Sequence, residues 1–194
     1  MPDGTLLVTG GTSGLGKNNA TGAVLAAELW NPQAETWRTL SSMTVKRLYH
    51  SSAVLLPDAR VLVAGGGQPN ADGEPDHFDA QIYSPPYLYK ADGTPAARPA
   101  FTGTPAQATY GQTLSLSSPQ AASIAQASLM RLSSATHAYN QSQRFNRLPL
   151  TVRADGTVAV TLPAGPNLAP PGPYLLFLLD GSGVPSVGAI LSLR

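Results

Sequence analysis

The sequence predicts an all-β protein, and three observations carry that reading. Glycine and proline supply 19 and 18 of the 194 residues, which suits short strands joined by turns better than long helices. The first half contains an internal repeat. In the second half, short apolar or alternating segments recur at ~8 to 12 residue spacing with turn residues between them.

In the repeat, "PDGTLLVTGG" at 2–11 aligns with "PDARVLVAGG" at 57–66, and "ELWNP" at 28–32 aligns with "QIYSP" at 81–85. Each copy reads as a turn, an apolar strand ending in Gly-Gly, a variable loop and a strand with an aromatic. That content at a period of ~50 residues is the pattern of a kelch-type propeller blade. The glycine pair then serves close approach of strands near the propeller axis. The repeat also answers a competing reading of "VTGGTSGLG" at 8–16, which alone matches a turn that seats a dinucleotide pyrophosphate. Such a turn must open a helix. The next six residues are "KNNATG", two asparagines and a glycine where that helix would begin.

In the second copy the turn "PDAR" joins "HSSAVLL" at 50–56 to "VLVAGG" at 61–66 as a hairpin, whereas the first copy starts at its turn, without that partner strand. Natural folds avoid an unpaired edge, and two blades cannot close a propeller. The expectation is a C-terminal part of a longer protein, with upstream blades missing.

From about Arg98 the pattern changes to "QTLSLS" (112–117), "ASLMRL" (127–132), "LPLTVR" (148–153), "TVAVTL" (157–162), "YLLFLLD" (174–180) and "VGAILSL" (187–193). Short strands at this density predict an immunoglobulin-like β-sandwich. The predicted division is a partial propeller over 1–97 and a sandwich over 98–194, with 90–105 as connector. Basic and acidic residues number 12 and 11, a net charge of +1, so nothing draws the chain toward nucleic acid or an anionic membrane. No apolar run approaches the ~18 residues of a membrane span. With no cysteine, disulfides and thiolate metal sites are excluded.

Several longer stretches occur in a telling order: "YHSSAVLLPDARV" (49–61), "HFDAQIYSPPYLY" (77–89), "RPAFTGTPAQ" (98–107), "ATHAYNQSQR" (135–144) and "GVPSVG" (183–188). On these the chain resembles the C-terminal third of galactose oxidase and its copper-radical oxidase relatives. The resemblance implies the last two blades of a seven-bladed kelch propeller followed by an early-set, immunoglobulin-like domain. It further implies oxidation of a primary alcohol, aldehyde or sugar by dioxygen at a mononuclear copper, with release of hydrogen peroxide, in a secreted or cell-envelope protein.

Carried over residue by residue, the resemblance makes Tyr49, His50 and His137 copper ligands and Tyr49 the base that accepts the substrate's hydroxyl proton. Neutral imidazole and phenolate are donors that suit Cu(II). The family's radical-bearing tyrosine is cross-linked to a cysteine, and this chain has none, so it cannot build that cofactor and is expected to be inactive alone. The family's substrate-facing residues lie mostly upstream, which leaves the substrate-binding residues unassigned. The loop at 67–76 lacks the cysteine pair of galactose oxidase and is expected to be loose.

Adjacent residues on a regular strand point to opposite faces. Tyr49 and His50 can therefore share a metal only if the backbone is irregular before "SSAVLL". "ATHAYN" (135–140) is expected to be a loop reaching out of the sandwich toward Tyr49. His77 reads as structural, and Trp30 and Trp37 as blade packing. The alternative function class is a non-catalytic kelch and early-set protein for carbohydrate binding, adhesion or partner docking.

Overall fold

A computed structural model describes residues 1–68, 75–137 and 139–194. They form an all-β structure in which a five-stranded and a three-stranded sheet enclose the main core. In the first repeat, β1 (Leu6–Val8), β2 (Ala26–Asn31) and β3 (Thr36–Ser42) make an antiparallel sheet in that order. In the second, β4 (Ser51–Leu55), β5 (Val61–Gly65) and β6 (Ala80–Tyr83) make another. The repeat superposes β1 on β5 and β2 on β6, and among the described residues β1 has no neighbour equivalent to β4. Trp30 and Trp37 face each other across β2 and β3 with ring centroids 5.2 Å apart, while Trp37 stays 57% exposed. Met43, Val61 and Val63 form a small core that Leu7, Leu55 and Tyr83 extend. The loop expected to be loose falls mostly on 69–74, outside the described residues.

The second half supplies β7 (Gln107–Ala108), β8 (Thr113–Ser117), β9 (Ile124–Arg131), β10 (Ala135–Thr136), β11 (Tyr139–Asn140), β12 (Phe145–Leu148), β13 (Leu150–Val152), β14 (Thr157–Thr161), β15 (Gly172–Asp180) and β16 (Ala189–Leu193). A five-stranded sheet β12-β9-β15-β16-β7 faces a three-stranded sheet β13-β14-β8. Leu114, Leu116, Leu129, Val158, Val160, Leu176 and Leu191 fill the space between them. One expectation needs correction. "LPLTVR" is not one strand, because Pro149 has no N–H to offer a ladder. The chain changes sheets there, β12 pairing with β9 and β13 with β14.

The unbroken apolar run of β15 reflects burial on both faces. Tyr174, Leu176 and Leu178 face the sandwich core, while Leu175, Phe177 and Leu179 pack against Ala59 at the β4–β5 turn, with Leu55 and Tyr87 around them. This second face joins the two halves of the chain, and a polar clamp closes it. The Arg98 guanidinium donates to the carbonyls of Pro185 (2.8 Å), Asp58 (2.8 Å) and Ser186 (2.5 Å). The Tyr87 hydroxyl donates to Ala59 O at 2.5 Å, and Gly188 N–H to Pro57 O at 2.7 Å. Burial pushes the Tyr87 phenol far up from its ordinary range, so it stays a donor at neutral pH. The stretch read as a connector is thus tied down on both sides.

Limited proteolysis is expected to leave a resistant core within 98–194, because the largest buried cluster is drawn wholly from that half. Arg98→Ala should accelerate loss of the N-terminal sheets, since a charged donor to each carbonyl contributes about 1.5–3 kcal/mol. Equal resistance of both halves, measured by gel and mass spectrometry, would contradict this division.

Candidate metal centre

Tyr49 and His50 lie in the turn that leads into β4, where Ser51 N–H donates to Leu48 O at 3.0 Å. His50 has φ 67°, a left-handed conformation that non-glycine residues rarely adopt. This is the irregularity the sequence required, and it brings the Tyr49 and His50 ring centroids within 3.8 Å of each other. "ATHAYN" forms a small hairpin of β10 and β11 that reaches β4, with Ala138 outside the described residues. His137 sits at its tip, also left-handed at φ 53°. Its ring lies 4.9 Å from His50 and 5.6 Å from Tyr49, centroid to centroid. The structure therefore brings together all three residues singled out from the sequence. Thr136 Oγ1 lies 2.7 Å from His137 Nδ1, so Nε2 is the ring nitrogen that this contact leaves unengaged.

Glycines following the apolar strand of each repeat support this turn. Gly11 N–H donates to Arg47 O at 2.8 Å, and Gly67 N–H donates to Tyr49 O at 2.9 Å. Gly10, at φ 74°, presses so closely on Arg47 that a Cβ there would collide with the Arg47 carbonyl oxygen. What the glycines let approach is thus the turn at 47–51, more than a neighbouring strand. Arg47 is fully buried beneath the turn. Its Nη1 donates to Gly65 O (2.8 Å) and Asp79 O (3.3 Å) and forms an ion pair with Asp79 Oδ1 at 3.0 Å. Sequence reasoning passed over Arg47, since a basic residue after Lys46 carries the signature of a solvated pair. It also passed over Lys17, whose Nζ lies 4.1 Å from the Tyr49 ring centroid.

Among the described residues no group of three or more His, Cys, Asp or Glu comes together. Two imidazoles and a phenol are the donor set present, and nitrogen with hard oxygen suits Cu(II). A ring nitrogen about 2 Å from an ion puts its ring centroid roughly 3 Å away, so two such rings sharing an ion lie within roughly 6 Å. The observed centroid separations of 3.8, 4.9 and 5.6 Å meet that limit. The donor types and the ring separations are thus compatible with one shared copper ion.

Residues 98–193 match the family model described as galactose oxidase-like, early set domain, and residues 1–87 match that of the glyoxal oxidase N-terminus. The chain is 37% identical over 195 residues to a galactose oxidase of Gibberella zeae, covering 98% of this chain and 28% of that protein. It is 34% identical over 169 residues to the aldehyde oxidase GLOX of Vitis pseudoreticulata, covering 80% of this chain and 32% of the relative. A solved fungal alcohol oxidase of the AA5 family, in complex with copper, superposes with a TM-score of 0.91 at 34% identity, covering 100% of this chain and 41% of that one. The chain thus spans about a third or less of the length of these curated relatives.

The two neighbouring glycines give a paired test of the turn. Gly10→Ala should destabilise the chain by at least about 2 kcal/mol, from left-handed strain plus the collision with Arg47. Gly11→Ala, at φ 87° with open space around the added carbon, should cost only about 1 kcal/mol. Denaturant midpoints compare them, and equal losses would mean that contact with Arg47 is unimportant.

Proposed function

The chain belongs to the galactose oxidase-like family, and from that premise we propose that it is the copper-binding C-terminal portion of a copper-radical oxidase. In this reading 1–97 are the last blades of a kelch propeller and 98–194 an early-set domain, in a secreted or cell-envelope protein. The observation that supports it is the convergence of Tyr49, His50 and His137 from the two halves of the chain.

Each residue has a part. His50 and His137 offer ring nitrogens to the ion. With Nδ1 paired to Thr136 Oγ1 at 2.7 Å, Nε2 is the ring nitrogen left for the ion, and in the tautomer that binds Thr136 Oγ1 accepts from Nδ1–H. The Tyr49 phenolate oxygen takes the proton of the substrate hydroxyl. Bound copper supplies a Lewis acid that makes that hydroxyl more acidic. In balance, a primary alcohol loses two electrons and two protons to become an aldehyde, and dioxygen gains them as hydrogen peroxide; a hydrated aldehyde gives the acid in the same way. A cysteine-linked tyrosine radical cannot come from this chain, which has no cysteine. The chain alone is therefore inactive.

Calorimetric titration should detect Cu(II) binding to the chain, weakened by roughly tenfold or more in His50→Ala and in His137→Ala. Binding unchanged in both variants would remove the proposed ligands. The chain alone should release no peroxide from galactose or glyoxal, and turnover by it would overturn the dependence on a cysteine-linked radical. A full-length protein that binds copper yet oxidises no alcohol or aldehyde would favour the non-catalytic alternative.

A further inference from the structure

The glycine-rich stretch after β1 is not used by the metal centre as described, yet it ends beside that centre. Its chain is pinned at both ends and across its middle. Gly11 N–H donates to Arg47 O at 2.8 Å, and Val24 N–H to Gly11 O at 2.9 Å. Ser13 N–H donates to Gly22 O at 2.8 Å, and the Thr12 hydroxyl to Asn19 O at 2.9 Å. Asn19 closes the interior, its Oδ1 accepting from Thr21 N–H (3.0 Å) and Gly22 N–H (3.2 Å) while its Nδ2 donates to Leu15 O (3.1 Å). Asn18 is fully buried, whereas its neighbour Lys17 is exposed and lays its ammonium over the Tyr49 ring face, 4.1 Å from the centroid. Among the described residues Lys17 has no ion-pair partner.

We propose that Lys17 forms a carboxylate subsite beside Tyr49, His50 and His137, so that the site prefers small hydroxy acids or aldehyde acids to neutral alcohols. This substrate class rests on the oxidase reading above. The ring face holds the ammonium in place without consuming its N–H donors, because a cation–π contact is electrostatic. An arriving carboxylate can take those donors as charge-assisted hydrogen bonds. A hydroxyl one carbon from that carboxylate then lies against the Tyr49 edge of the cluster. The closed loop supplies the rigidity a selective subsite needs, since a cation on a wandering loop would attract anions without orienting them. Oxidation of glycolate balances as for any primary alcohol: the CH2OH carbon becomes the aldehyde of glyoxylate, and dioxygen becomes hydrogen peroxide.

Two arms test the proposal on the full-length protein. In the first, propionate, an unreactive carboxylate, is titrated into the metal-free protein and followed by NMR shifts of the Tyr49 ring and the Lys17 side chain. Saturable shifts that are lost in Lys17→Met, with those of Tyr49 kept in Lys17→Arg, are expected. Shifts that do not saturate, or Tyr49 shifts that persist in Lys17→Met, overturn the subsite whatever the protein's activity. In the second, the copper-loaded protein is assayed for peroxide with glycolate and ethylene glycol. The kcat/KM ratio should favour glycolate and fall roughly tenfold in Lys17→Met, the scale of a hydrogen bond to a charged group. A ratio that Lys17→Met leaves unchanged overturns the substrate class. No peroxide from either compound overturns the oxidase reading and with it the substrate class, while the propionate arm still decides the subsite.

Discussion

The Arg98 guanidinium holds three backbone carbonyls, one on the β4–β5 turn and two just before β16. The geometry of the metal centre depends on that grip. His137 rides on a hairpin of two-residue strands, and such a hairpin has little stability of its own. Its ring meets His50 because the sheets on which each is mounted are locked together, through Arg98, Tyr87 and the outward face of β15. The loop carries the donor and the scaffold supplies its position.

Backbone strain gathers at the same places. The described non-glycine residues with positive φ are Glu35, His50, Ala59 and His137, and all but Glu35 belong to the centre or to the docking turn. Left-handed backbone costs about 1 kcal/mol or more per residue. At His50 the cost is offset by the buried Arg47 and the glycine N–H groups that hold the turn from both repeats. Ala59 makes the trade visible within the chain. The corresponding residue of the first repeat is Gly4, at φ 90°, where an added Cβ would lie 3.3 Å from the Phe145 ring of the sandwich. The second copy carries a methyl at φ 65°, because that methyl is buried against Leu175, Phe177 and Leu179.

What was legible in the sequence was what local pattern and motif encode. The "PDAR" hairpin, the glycine pairs, the short strands and the three donors Tyr49, His50 and His137 are all readable from adjacency or from resemblance to a family. Even the kink before β4 could be inferred, since alternation along a strand forbids neighbours from sharing an ion. The rest depends on partners far away along the chain. No local period announces that Arg47 is buried, that Arg98 in an apparent connector binds carbonyls on both sides of it, or that Lys17 lies over Tyr49. The split of "LPLTVR" was signalled by Pro149, and the double burial of β15 by its unbroken apolar run. Both were signals present in the sequence and read too simply.

The clamp also orders events in time. Its three hydrogen bonds join residues separated by 40, 87 and 88 positions, whereas the β4–β5 and β10–β11 ladders close across a few. Short-range ladders form early, and contacts of high sequence separation wait for the entropy of long loops to be overcome. The centre is thus among the last features to mature. A metal ion that reaches a nascent chain meets two separate imidazoles on unfinished hairpins, and only a chain that has already docked its halves presents them as one chelate. On the copper-binding reading, metal loading would be a late step, coupled to completion of the tertiary structure and not to its nucleation.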